Sequence, residues 1–312
     1  MENQIKNEIE FNADDFQLVG IKETEAESLS ATPISFWKEV YLRFKKNKLA
    51  VVGLILLIIL VFMALFGPVF TGKSYTAQDL NNVNANPSAT YWFGTDALGR
   101  DVFTRIWYGA RVSLSIGVIA ALVDIIIGVI YGSISGLYGG KVDNIMMRVA
   151  DLLSGIPYLL VVILLMSIMK QGIFPMVLAL TFTGWINMAR IVRGEVLSAK
   201  NNEYVLASRV MGAGTWHIIK SHLIPNMLGP IIVTMMLTVP SAIFSEAFLS
   251  YLGLGIQVPF PSWGTMASDA KGVFTLYPYQ LLIPGGLICL TIFAFNAVGD
   301  GLRDALDPKQ RD

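Results

Sequence analysis

Six long apolar segments, near 49–70, 112–136, 145–169, 173–191, 227–250 and 280–299, constrain this chain more than any other feature. Each comes close to or meets the roughly 17–25 helical residues needed to cross a hydrocarbon layer of about 30 Å. Barrel strands would be shorter and would alternate in polarity, so the segments are expected to be helices that satisfy their backbone groups internally. Composition agrees: 54% of the 312 residues are hydrophobic, 15% are charged, and mean hydropathy is +0.58. Soluble domains carry about 25% charged residues, and disordered chains combine high charge with few apolar residues. Both classes are disfavoured. The single cysteine, Cys289, leaves no intrachain disulfide.

The formal net charge is zero, but it is unevenly distributed. Residues 1–36 hold two Lys and eight Asp or Glu, a net of −6, and the remainder carries +6. The acidic head has no apolar period and is expected to be a flexible cytoplasmic tail. With the N-terminus inside, 17 of the 23 basic residues fall on the cytoplasmic side, so both termini are expected there. A neutral total gives no footing for nucleic acid.

Over 37–48, Trp37, Val40, Tyr41 and Phe44 recur at helical spacing among Lys38, Arg43, Lys45, Lys46 and Lys48. An interfacial amphipathic helix on the inner leaflet is expected. A helical extension of the first span with snorkelling lysines is the alternative. Gly128, Gly132, Gly136 and Gly140 stand four apart, a face for close helix packing within the chain or against a partner subunit. Pro157 and Pro240 are expected to kink or break their helices.

Charges within spans are costly, at least about 2.5–3.5 kcal/mol each, and should face the interior, water or each other. Arg148 and Asp151 have the spacing of an intrahelical pair. Asp124, Glu246 and the neighbouring Phe244 could line a translocation path, or Asp124 and Glu246 could hydrogen-bond helix to helix. No catalytic set recurs at one depth. Gly67 to Ser74 matches the phosphate-loop pattern G-x-x-x-x-G-K-[ST], but a span precedes it rather than a strand. His217 and His222, five apart, would point about 140° apart on an α-helix, a poor metal pair.

Residues 192–226 form a long loop between the fourth and fifth spans. It reads as a helix to Met211, a turn at Gly212-Ala-Gly214, and a second helix to Leu223, suited to docking on a cytoplasmic partner. Here Glu203-Tyr204-Val-Leu-Ala207-Ser208-Arg-Val-Met-Gly212-Ala, with His222-Leu-Ile-Pro225-Asn226, resembles the EAA signature of ABC importer permeases. The stretches 93–101, 109–114, 248–255, 261–266 and 299–308 narrow the likeness to the dipeptide/oligopeptide/nickel permease family and the C-type subunit of its pair. The likeness covers about 37–312. One departure stands out: the signature's glutamate falls at Leu206 and its second alanine at Ser208. The turn therefore carries over better than a salt bridge.

The resemblance implies an all-α integral membrane protein with six transmembrane helices, the type I ABC importer permease architecture, in the bacterial cytoplasmic membrane. It implies oligopeptide import, with dipeptide or nickel import as the alternative. The chain would hydrolyse nothing and hold no cofactor or metal; ATP and Mg would be used by partners. Those partners would be a second homologous permease, two cytoplasmic ATPases and an extracellular peptide-binding lipoprotein. Glu203, Tyr204, Ala207, Ser208, Gly212 and Gly214 would couple to an ATPase. External loops 71–110 and 251–279 would meet the binding protein. Trp92, Trp263, Tyr277 and Tyr279 are expected to mark the outer headgroup belt.

Overall fold

The computed structural model describes residues 35–257 and 259–307; the acidic tail expected over residues 1–36 lies outside them, apart from its last two residues. Helix α1 spans Phe36–Lys46 and α2 spans Lys48–Phe70, with Asn47 capping α2 by accepting from the Ala50 amide at 3.2 Å. Then come α3 (Val102–Tyr138), α4 (Gly140–Ser154), α5 (Tyr158–Met169) and α6 (Ile173–Ala199). The short α7 (Glu203–Val210) precedes α8 (Leu228–Tyr251), α9 (Trp263–Asp269) and α10 (Tyr279–Leu306). Among the described residues no β-strand forms. Five helices are long and apolar enough to span a membrane, or six spans if α4 and α5 count as one.

That pair is the expected third span, and it is broken: α4 and α5 are bent by 77°. Pro157 sits at the start of α5, where it cannot donate to the preceding turn and biases Ile156 away from helix. Pro240, in contrast, lies inside a continuous α8.

Helix α3 begins ten residues before the predicted span, so the outer loop runs only to Asp101. Asp101 caps it, with Oδ2 accepting from the Thr104 amide at 2.8 Å. The early charges find partners inside the protein. Arg111 donates to the Ala64 and Leu65 carbonyls at 2.5 and 2.6 Å, and buried Arg105 approaches Asp96 Oδ2 at 3.3 Å. Helix α6 likewise outruns its predicted end because Arg190 and Arg193 are paired. Asp151 accepts from Arg190 of α6 at 2.9 Å, so the ion pair shown for it joins two helices, where an intrahelical pair with Arg148 was expected.

The glycine face packs within the chain, against α6. A Cβ built at Gly128 would stand 2.6 Å from Met188 Cβ, and one at Gly136 2.8 Å from Val196 Cβ; at Gly132 it would strike the Ala189 carbonyl. Gly140 leaves the face: it opens α4 with a φ of +53°. Gly67 is a packing glycine within α2, where a Cβ would lie 2.7 Å from Trp107 Cγ, so the phosphate-loop pattern is coincidental. Trp263 is fully buried rather than in a headgroup belt, and its indole donates to the Ile106 carbonyl at 3.1 Å.

Candidate functional site

Three features gather the residues singled out from sequence. The first is the projecting turn after α6. The predicted helix over 192–211 is two helices, interrupted at 200–202. After α7 the chain reverses at Gly212, whose φ of +84° lies in the left-handed region that favours glycine. The Ala213 amide closes the turn on the Ser208 carbonyl at 3.0 Å. Short turns follow: Thr215–Ile218, a π turn at Ile219–Leu223, and Ile224–Asn226.

The base of this element is anchored and its tip is bare. Val205, Ile218, Ile219 and Leu223 are buried in one cluster with Val192 and Val196 of α6. At the tip Val210 is 88% exposed, Met211 79% and Trp216 57%. Large apolar side chains are thus held out from a packed base, an arrangement suited to contact with a partner. Glu203, Tyr204 and Ala207 lie on the exposed side, Ser208 is buried beneath them, and nothing stands within 4 Å of a Cβ built at Gly212 or Gly214. The sequence reading named the turn and missed Val210, Met211 and Trp216. Their signal is three bulky apolar residues immediately flanking a glycine turn, where polar residues are usual.

The π turn also corrects the histidine geometry. Its wider winding brings residues five apart into register, and the His217 and His222 rings stand 5.8 Å apart, edge to face. Among the described residues no group of three or more His, Cys, Asp or Glu could hold a metal.

The second feature is a cavity of about 450 Å³ bordered by α3, α5, α6 and α8. Asp124 and Tyr158 line it with Asn187, Thr238 and Ser241. The Asp124 carboxylate lies directly over Gly184, where any side chain would collide with it. Asp124 is 5% exposed, and its Oδ1 has no hydrogen-bond partner; neither has the Tyr158 hydroxyl.

Glu246 and Phe244 are not among the residues lining that cavity. Glu246 is fully buried and accepts from Ser113 Oγ at 2.9 Å and Ser250 Oγ at 2.8 Å. The Trp263 amide donates in turn to Ser113 Oγ at 3.2 Å, so the node joins α3, α8 and α9. Phe244 is exposed on α8 and stacks on Phe248, centroids 6.5 Å apart.

The third feature is the outer motif over 93–101. Asp96 Oδ1 accepts from the Leu98 and Arg100 amides, both at 2.9 Å, while Oδ2 meets Arg100 Nε at 2.6 Å. Arg100 and Arg105 also face Asp269 at 3.6 and 3.9 Å. Partial desolvation at the end of α9 pushes the half-exposed Asp269 carboxyl above its ordinary value, against the pull of the two guanidiniums.

The long spans, one of them broken, border a cavity of mixed apolar and polar lining, and an anchored turn with an apolar tip follows α6, an arrangement that suits a transport permease. The chain belongs to the family described as "Binding-protein-dependent transport system inner membrane component", which matches residues 124–312. Residues 35–87 match the "N-terminal TM domain of oligopeptide transport permease C". It is a multi-pass inner-membrane permease subunit of the ABC importer class.

The chain is 57% identical to the oligopeptide transport system permease protein OppC of Bacillus subtilis, covering 92% of this chain and 94% of that one. It is 55% identical to the dipeptide transport system permease protein DppC of the same organism, covering 93% and 91%. The OppC of Escherichia coli K12 is 42% identical, covering 93% and 96%. A chain of the inward-facing MetNI methionine ABC transporter superposes with a TM-score of 0.50 at 18% identity, covering 62% of this chain and 94% of that one, and shows a shared fold.

Proposed function

We propose that this chain is the permease subunit of an ATP-driven oligopeptide importer, forming half of a translocation path with a second homologous permease. The observation that carries the substrate class is identity above 50%, across more than nine-tenths of each chain, to permeases named for oligopeptide and dipeptide transport. Dipeptide import is the second reading, favoured by the DppC likeness.

In this reading both termini are cytoplasmic and α1 lies on the inner leaflet. The turn from Glu203 to Gly214 seats in a groove of a cytoplasmic ATPase. Val210, Met211 and Trp216 supply the apolar contact, and burial of such side chains yields about 1.5–3 kcal/mol each. Because the base of the turn is packed on α6, a push on the tip moves α6, and α3 with it through the glycine face. Rigid-body rocking of this kind is how two-sided access is exchanged in transporters. The chain itself catalyses nothing; ATP and Mg act in the ATPases, and an external lipoprotein delivers peptide to the outer segments. Asp124 borders the path, whereas Glu246 holds the helices that frame it.

A strain lacking the gene, challenged with toxic peptides of several lengths and with nickel, tests the assignment. Resistance to the peptides alone, reversed by the intact gene, is expected. Unchanged sensitivity to every peptide, or resistance to nickel alone, contradicts it.

A further inference from the structure

Three hydroxyls on the α8 wall of the cavity beside Asp124 are one-sided in their hydrogen bonding. Thr234 Oγ1 donates to the Pro230 carbonyl at 2.8 Å, Thr238 Oγ1 to the Thr234 carbonyl at 2.9 Å, and Ser241 Oγ to the Leu237 carbonyl at 3.2 Å. Each hydroxyl has therefore used its proton inside α8 and offers only lone pairs to the cavity. Asp124 adds a buried carboxylate whose Oδ1 is unpartnered. No lysine, arginine or histidine lines the space. The donors that share the cavity, on Asn187, Ser245 and Tyr158, are all neutral, so the acid has no charged counterpart there, and a buried acceptor left without a partner is costly by about 1–3 kcal/mol. A charged donor is the complementary occupant.

Gly184 makes the arrangement possible. A Cβ there would lie 2.7 Å from Asp124 Oδ1, so the carboxylate rests on bare backbone of α6 instead of being pushed away from it. The Tyr158 hydroxyl, also unpartnered, stands at the same cavity from α5.

We propose that Asp124, with the Thr238 and Ser241 oxygens, forms a transient subsite for a protonated amine of the passing cargo. An ammonium group brings three donors and one positive charge, which suits a carboxylate that shares its cavity with hydroxyl acceptors. The subsite rests on the peptide-permease reading and adds to it a foothold inside the membrane. The cavity gives that foothold no second charged contact, so the amine is held and released rather than trapped, as conduction requires.

The test uses membranes containing the whole transporter. Dicyclohexylcarbodiimide modifies carboxyl groups accessible from apolar surroundings, and mass spectrometry reads Asp124 and Glu246 separately. Trialanine should protect Asp124, N-acetyl-trialanine should not, and Glu246 should respond to neither. Equal protection by both peptides, protection by neither, or an Asp124 that never reacts overturns the subsite. In cells, Asp124→Asn should lower trialanine uptake roughly tenfold, the scale of one charge-assisted hydrogen bond. The amount of assembled transporter should not change, and Asp124→Glu should recover part of the rate. Undiminished uptake by Asp124→Asn also overturns it. If wild-type cells import trialanine while these arms fail, the subsite alone falls. If they import no peptide, the permease reading falls.

Discussion

Ser113 and Glu246, 133 residues apart in sequence, share a 2.9 Å hydrogen bond in the fully buried interior. The Trp263 amide reaches the same hydroxyl, so one carboxylate fixes where α3, α8 and α9 meet. Glu246→Leu leaves the Ser113 and Ser250 hydroxyls without their acceptor. The expected cost is about 3 kcal/mol, read as a lower unfolding temperature and less assembled protein. A Glu246→Leu transporter as stable as wild type, with altered uptake, would place the residue on the path instead.

The two ion pairs on α6 should differ in weight. Arg193 grips Asp143 through two nitrogens, at 2.5 and 2.6 Å, and Ser135 donates to the same carboxylate at 2.5 Å. Arg190 and Asp151 are half-exposed and meet at one contact. Asp143→Asn is expected to destabilise by about 1–3 kcal/mol, and Asp151→Asn by less than about 1 kcal/mol. Thermal unfolding of the purified complex separates them.

Gly212→Asp places a side chain on a φ of +84° and a charge beside the apolar tip. The backbone penalty is about 1–2 kcal/mol, absorbed locally because open space surrounds the site. The expected outcome is a complex that assembles and binds peptide but does not import it. Uptake assays beside co-purification with the ATPases check this.

The outer loop carries a pH dependence of known sign. Asn82 and Tyr91 donate to Asp79 Oδ2 at 2.7 and 3.0 Å and hold its carboxyl below the ordinary value of 3.8. A depressed carboxylate stabilises the folded loop above that value and loses its contribution as pH falls through the lowered one. Tyr91→Phe removes one donor, so acid opening of the loop should begin at higher pH. Pepsin nicking of the 71–101 segment, followed as pH is lowered, measures the difference.

The sequence disclosed what depends on local pattern. Spans follow from runs of apolar residues, the broken third span from Pro157, and the projecting turn from Gly212 and Gly214. Long-range partnerships were hidden. Asp151 has Arg148 one turn away, yet it pairs with Arg190, 39 residues on. Trp263 reads as an interfacial aromatic because nothing local shows that α9 folds back beneath Ile106. The His217–His222 approach depends on a π turn, which five ordinary residues do not announce. Asp124 was visible as a buried charge, but its acceptor-lined surroundings come from α8 hydroxyls more than 100 residues away.

In the proposed importer the tip at Met211 delivers the force of ATP-driven closure to the membrane helices. A photoreactive benzoylphenylalanine at position 211, irradiated in living cells, tests it most directly, with the same probe at Leu80 in the outer loop for comparison. The account predicts an adduct between position 211 and a cytoplasmic ATPase, and none from Leu80 to that protein. An adduct from position 211 to the external binding protein, or no ATPase adduct from an assembled and active transporter, would contradict it.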